Sequence, residues 1–295
     1  FDCTLYYDED LILDARLNIL DKFIDKFIIC EASFSHSGRK KKLNFDINKF
    51  QKFKDKIIYI VQDTEPNNIM YDDLQKKNEN PENWRANAVK RIAHQRNKLL
   101  DEVNKNADPD DFILYSDNDE IPNLENNNIL KENSKIVIFE QDLFYYKFNL
   151  LCDRIKWYGT RAIKKKNLIN FEWLRQIKPK KYPFYRVDTF FKKDKYINVK
   201  IINNGGWHFT RVISPEEIHM KELDAEHHDE YRASKKNPER IKDLIKRRMI
   251  DHDHLADSRE NKYGKEFPLK QIDISKMPTY IKKNQFKYKE FLDLD

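Results

Sequence analysis

Four short apolar runs, at residues 4–7 (TLYY), 26–31 (KFIICE), 56–61 (KIIYIV) and 111–116 (DFILYS), divide the first part of the chain. Segments of helical periodicity lie between them. Leu13, Leu17, Leu20 and Ile24 recur at helical spacing, which predicts an amphipathic helix over about residues 11–23. Trp84, Ala88, Ile92, Gln95, Leu99 and Val103 mark one face of a second helix, which the turn at 106–110 with Pro109 ends. Strands that alternate with helices read as a mainly parallel sheet, so the class is α/β. With 295 residues and 39% hydrophobic content, the chain can bury one large core. Charged residues reach 36%, but the 13% aromatic content argues against disorder.

Residues 62–82 read as a long polar loop, and residues 135–139 and 143–148 as two further strands. Strands are expected near 184–191 and 196–202. The second runs into Asn203-Asn204-Gly205-Gly206-Trp207-His208. From Pro215 to about Asp251 the pattern is helical and charged, and the last forty or so residues, with Pro268 and Pro278, read as an irregular tail. There is no repeat and no Gly/Ser linker. The expected division is a catalytic domain over residues 1–212 and a helical extension with a tail over 213–295, packed on it.

The formal net charge is +6, with both signs interleaved, a balance that favours an anionic small substrate over nucleic acid. The basic runs at 39–42 and 164–166 read as solvated loops. Cys3, Cys30 and Cys152 have no metal-ligand spacing, their odd number excludes a fully paired framework, and a reducing compartment fits them. No apolar run approaches the roughly 18 residues of a membrane span, and no signal peptide is visible.

The strongest local signal is Tyr115-Ser116-Asp117-Asn118-Asp119-Glu120-Ile121-Pro122. Its alternating carboxylates stand just beyond an apolar strand, where open α/β sheets bind ligands. Hard cations such as Mg²⁺ and Mn²⁺ choose oxygen ligands and share them with phosphates. Asp117 and Asp119 are therefore candidate ligands of a metal that bridges a diphosphate; the bland alternative is an acidic turn. Arg96 lies on the helix leading into that strand and suits an oxyanion. In a chain with only 5 glycines, Gly205-Gly206-Trp207-His208 stands out. His208 is a candidate third metal ligand and Trp207 a candidate stacking platform. The alternative is a Gly turn followed by a core pair. His227, His228, His252 and His254 lack convincing zinc spacing and read as solvated. There is no Gly-x-Ser-x-Gly, no Gly-rich phosphate loop and no paired-Cys motif.

The opening segment (Phe1-Asp2, Asp10-Leu11, Arg16-Leu17-Asn18, Asp25-Lys26-Phe27, Glu31 and Phe34 through Leu43), the Asp117–Pro122 motif and Gly206-Trp207-His208 resemble family 17 of the glycosyltransferases. Its best-known animal member adds the bisecting GlcNAc of N-glycans. Lys221 and His228-Asp229-Glu230 match the family's later segment, and the resemblance covers roughly residues 1–230. It implies a GT-A-like nucleotide-sugar-binding fold, a UDP-sugar donor (UDP-GlcNAc first), Mn²⁺ or Mg²⁺, and inversion at the anomeric carbon. It implies an oligosaccharide or glycan acceptor and a catalytic carboxylate between the two motifs, Asp188 in preference to Glu140. Glu31, Gly38, Arg96, Asp117, Trp207 and Lys221 are then expected around the donor, and Asp117, Asp119 and His208 around the metal. The animal enzymes are membrane-anchored; the expectation here is a cytoplasmic enzyme of a microbial or viral system. Other readings are a phosphoryl- or nucleotidyl-transferase using the same acidic site, and a non-catalytic glycan-binding protein.

Overall fold

The computed structural model describes residues 1–73, 78–180, 185–187, 195, 198–256 and 262–294. The chain runs through β1 (Asp2–Tyr6), α1 (Asp10–Leu20), β2 (Phe27–Ala32), β3 (Ile57–Gln62), β4 (Tyr71–Asp73), β5 (Asn78–Glu79) and α2 (Trp84–Asn106). Next come β6 (Phe112–Tyr115), β7 (Glu120–Pro122), β8 (Ile136–Tyr145), β9 (Leu150–Lys164), α3 (Phe171–Gln176), β10 (Val199–Ile202) and β11 (Gly206–Thr210). The remainder holds α4 (Pro215–Glu222), α5 (His228–Ala233), α6 (Pro238–Lys246), β12 (Met249–His252), β13 (Tyr263–Pro268), β14 (Lys270–Gln271) and α7 (Thr279–Lys283).

One sheet dominates, in the order β3-β2-β1-β6-β9-β8-β11-β7, with β10 beside β8 and β14 beside β9. β3, β2, β1 and β6 are parallel to one another. β9 runs antiparallel to both β6 and β8, while β10 and β11 run parallel to β8. The fold is the expected α/β one; its parallel character is concentrated in the first half. Every residue of β2 is buried, because helices and loops cover both faces, and this gives an unbroken apolar run. One core lies between the sheet and α1, where Leu13, Leu17 and Leu20 are fully buried; a second lies under α2 and α3, around Leu99, Val103, Phe171 and Leu174; a third joins β8 and β9 to α4 and α6, around Leu143, Leu150, Ile218 and Ile241.

Two readings of the middle of the chain differ from the structure. The two strands expected at 135–139 and 143–148 are one strand, β8 (Ile136–Tyr145), which continues through Glu140-Gln141-Asp142 and ends before residues 146–148. Buried Gln141 is accommodated there because its amide donates to Thr160 Oγ1 at 3.2 Å. The partner, β9, was not anticipated at all: Asp153, Arg154 and Lys156 on its exposed stretch hide the apolar alternation. Beyond residue 212, β14 adds to the main sheet on β9, and Ile281 and Tyr288 complete the core beside α1. Tyr288 donates a hydrogen bond to Asp14 Oδ2 at 2.9 Å. The expected strand at 184–191 falls largely outside the described residues.

After β1 the chain moves out through β2 and β3, then returns to lay β6 on the other side of β1. The crevice beyond the carboxyl ends of β1 and β6 is therefore a topological switch point. Arg16 of α1 fixes its floor. Its side chain is fully buried. Nε and Nη2 donate to the two oxygens of Asp2 at 2.7 and 2.6 Å, and Nη2 also reaches Ser116 Oγ at 2.7 Å. Nη1 donates to the carbonyls of Glu120, Asp117 and Asn118 at 2.9, 3.2 and 3.3 Å. Removing one partner of a buried ion pair leaves the other charge stranded. Arg16→Met is expected to cost about 3–5 kcal/mol, read as a lower urea midpoint at an unchanged slope. A loss under about 1 kcal/mol would contradict this role for Arg16.

Candidate active site

The chain leaves β6 at Tyr115 and folds into a closed turn before β7. Asp117 N donates to Glu120 Oε2 at 3.0 Å, Glu120 N donates to Asp117 O at 3.0 Å, and Ser116 Oγ donates to Glu120 O at 2.9 Å. With the backbone held from below by Arg16, the side chains of Asp117, Asn118 and Asp119 line a pocket at the switch point.

β11 delivers the histidine. It lies between β7 and β8, which sets His208 opposite Glu120 and Leu143. Phe209 N donates to Asp119 O at 2.8 Å and locks the turn to the strand. His208 Nε2 comes to 3.3 Å from Asp119 Oδ2. Gly206 makes the close strand approach possible: its φ is 141°, and a Cβ there would collide with the Ile121 carbonyl. Because side chains alternate along a strand, Trp207 points away from the pocket, and its indole N–H donates to Lys276 O at 3.3 Å. Trp157 of β9, rather than Trp207, is the indole that lines the pocket, its ring centre 4.7 Å from that of His208. It also donates to Glu120 Oε1 at 2.5 Å.

Cations and carboxylates interlock around this turn. Arg175 of α3 donates to Asp117 Oδ2 at 2.9 Å, to Glu120 at 2.7 and 2.8 Å, and to Gly159 O at 2.8 Å. A side chain at Gly159 would run into Gln141 and Glu120. Arg96 donates to Tyr115 Oη and Glu172 Oε2, both at 2.9 Å, with a second nitrogen 3.8 Å from Asp117 Oδ1. Lys221 pairs with Glu9. Burial alone would raise the pKa of Asp117, yet Arg175, Arg96 and His208 outweigh it and hold the carboxyl well below its ordinary range. Burial likewise opposes the Asp119 carboxylate, and His208 and Lys221 hold its pKa down. His208 is pulled down by burial but raised overall by Asp119, Glu120 and Asp117. His36, also in the pocket, is pushed down to about 4 by burial and by Arg96, so it is neutral near pH 7.

Of the residues expected from sequence, Arg96, Asp117, Asp119, His208 and Lys221 meet in this pocket. Glu31 does not line it. It is fully buried, paired with Lys41, and accepts hydrogen bonds from the Asn44 and Phe45 amides and Tyr59 Oη at 2.8, 3.1 and 2.9 Å, so it clamps the loop at 33–45 onto β2. Gly38 takes a φ of 90° against Arg91 and lines a neighbouring cavity. Glu140 lies outside the pocket lining and accepts from Tyr158 Oη at 2.9 Å. Asp188 lies outside the described residues. Arg175, Trp157 and Glu9 escaped the sequence reading; a lone Arg in a short helix carries no pattern, and Trp157 sits on the strand that was missed.

In the pocket lining, two buried polar atoms, His208 Nδ1 and Asn118 Oδ1, have no hydrogen-bond partner among the described residues. No group of three or more His, Cys, Asp or Glu side chains arranged to hold a metal occurs among them either. Asp119 and His208 thus offer two convergent donors, which fits a cation that takes its other ligands from water and phosphate.

A family model described as glycosyltransferase family 17 matches residues 1–293. No curated protein matches the chain. Among solved structures, HddC from Yersinia pseudotuberculosis is 11% identical with a TM-score of 0.33, over 70% of this chain and 91% of that one. The same protein complexed with GMP-PN is 9% identical with a TM-score of 0.32, over 69% and 90%. The galactosyltransferase LgtC, in complex with donor and acceptor sugar analogs, is 14% identical with a TM-score of 0.27, over 57% and 59%.

Arg175→Met would leave Asp117 and Glu120 facing each other without their shared counter-charge, an expected loss of about 3–5 kcal/mol at neutral pH. Asp117 has a lowered folded-state pKa, so its pairing stabilises the fold above the ordinary carboxylate value and is lost as pH falls through the lowered one. The stability gap between wild type and variant, followed by denaturant melts across pH, should therefore be widest near neutrality and shrink below about pH 4. A gap that widens on acidification would refute the pairing.

Proposed function

The chain belongs to glycosyltransferase family 17, and from that premise we propose that it is an inverting, metal-dependent transferase moving a sugar, GlcNAc first, from a UDP-sugar to a glycan hydroxyl. The observation that carries this reading is the 3.3 Å approach of His208 Nε2 to Asp119 Oδ2 at the switch point of the sheet. Asp119 and His208 would hold Mn²⁺ or Mg²⁺, which supplies charge neutralisation for a departing diphosphate. Arg96 and Lys221 add fixed positive charge to the pocket lining. Asp117 keeps 37% of its side chain exposed, and as an ionised acceptor clamped by Arg175 it suits a donor hydroxyl. Leu5, Ala32, Phe34 and Ile92 give the pocket an apolar side that suits a nucleobase. No helix among the described residues is long and apolar enough to cross a membrane.

UDP binding should need the cation, since bare Asp117 and Asp119 repel a diphosphate. Calorimetric titration of UDP with Mn²⁺ and with EDTA tests this; equal affinity would sink the metal reading. Asp119→Ala and His208→Ala should each weaken Mn²⁺-dependent binding at least 10-fold, the scale of even an outer-shell loss, with little change in melting temperature. UDP-GlcNAc should stabilise the protein more than GDP- or CMP-sugars do. Turnover should release free UDP; a product that keeps a donor phosphate would point to phosphoryl or nucleotidyl transfer instead.

A further inference from the structure

Resting on the glycosyl-transfer reading, we propose that Glu226 is the general base that takes the proton from the acceptor hydroxyl. Six carboxylates line the pocket: Glu9, Asp117, Asp119, Glu120, Asp224 and Glu226. Five are committed. Glu9 is held by Lys221 and by the Tyr7 amide at 3.1 Å. Asp117 and Glu120 share Arg175, and Asp119 faces His208. Asp224 pairs with Arg39 and accepts from Tyr7 Oη at 2.7 Å and Ser37 Oγ at 3.1 Å. Glu226 accepts no hydrogen bond from any described residue. The His227 ring Nε2 lies 3.8 Å from its Oε1, and 37% of its side chain is exposed. A carboxylate clamped by a guanidinium has its lone pairs occupied and its basicity lowered. A free one can receive a proton from an incoming hydroxyl.

The position fits the task. Glu226 stands on the turn between α4 and α5, the wall between the donor pocket and a second cavity of about 790 Å³. Asp224, on the same turn, lines both. Trp84 offers the second cavity an indole packed on His228 with ring centres 5.5 Å apart, and Arg39 and Arg232 add donors, a mixture that suits a pyranose. A glycan seated there reaches the donor past Glu226. The wall is fixed: Ser37 N donates to Asp224 O at 3.2 Å, Arg232 donates to Leu223 O at 3.0 Å, and His228 Nδ1 lies 2.9 Å from Ala225 O. In the step itself, the acceptor oxygen forms a bond to the anomeric carbon and its proton passes to the Glu226 carboxylate. The bond from the anomeric carbon to the β-phosphate oxygen breaks, and its electron pair leaves with the diphosphate.

The test measures UDP release from UDP-GlcNAc with Mn²⁺ and a panel of free oligosaccharides. Glu226→Gln should lower kcat by roughly 100- to 10,000-fold, while melting temperature and calorimetric UDP affinity stay at wild-type values. Glu226→Asp should recover part of the rate. A merely structural residue would instead move melting temperature or UDP binding. Glu226→Gln turning over within about threefold of wild type overturns the assignment. So does a loss confined to Asp188→Asn. A wild-type protein that binds UDP with Mn²⁺ yet transfers sugar to no acceptor overturns the transferase reading and this one together, whereas an active wild type beside an active Glu226→Gln overturns this one alone.

Discussion

A buried guanidinium, that of Arg16, joins the sheet to the acidic turn that lines the pocket. Its charge has no water to solvate it, so its N–H groups must find acceptors within the fold, and they find Asp2, Ser116 and the carbonyls of the turn. The guanidinium comes from α1, and its partners from the first residue of β1 and from the exit of β6. The site can form only when these three elements have docked in register. An apolar residue in place of Arg16 could fill the same space, but it could not specify where the carbonyls of residues 117, 118 and 120 point. The side chains of Asp117 and Asp119 project into the crevice because their backbone is held from the opposite side.

The same logic repeats one layer higher. Arg175 satisfies Asp117 and Glu120 together, and a planar fork does this where a lysine ammonium would have to choose. Glu120 is thereby spent on structure, holding Trp157 and the turn, although it sits in the acidic motif beside two candidate functional carboxylates. Asp119 is left with only an imidazole and a lysine near it. The turn therefore separates four consecutive polar residues into different roles through their neighbours alone: Asp117 clamped but half-open, Asn118 buried, Asp119 facing His208, Glu120 locked.

This separation marks the boundary of what the sequence makes legible. β1, β2 and β6 are readable because they are buried on both faces and appear as unbroken apolar runs, and β3, half-buried at the edge of the sheet, because its run from Ile57 to Val61 is just as apolar. The acidic motif is readable because it follows such a run, and Gly206 because its positive φ and contact with the Ile121 carbonyl admit no Cβ. β9 is not readable, since the exposed edge of its long course carries Asp153, Arg154 and Lys156, and losing it hides both Trp157 and the antiparallel half of the sheet. Periodicity around His208 would have assigned the strand faces correctly had the strand register been known: Trp207 and His208 cannot both enter one pocket. Glu31 misleads for a different reason. A carboxylate at the end of a parallel strand looks like a ligand group, and only three-dimensional contacts reveal that Lys41, Asn44, Phe45 and Tyr59 have already consumed its lone pairs.

The pocket also draws on chain that local patterns assign to an appendage. Lys221, Asp224 and Glu226 all come from beyond residue 212, and they form the wall opposite the acidic turn. Their placement depends on contacts far away in sequence, between Lys221 and Glu9, between Asp224 and Arg39, and between Arg85 and Asp229. Each is a pair of opposite charges at the edge of a cavity, partly solvated and individually weak. A wall tied by several such links can be well ordered yet yield more readily than the Arg16 floor beneath it, which has no water to exchange with. The two sides of the pocket thus differ in stiffness for a physical reason: one is fixed by a buried, fully satisfied charge, the other by exposed pairs that a ligand or salt can replace one at a time. If the chain opens to admit substrate, the side built from residues 221–230 is the one whose contacts cost least to break.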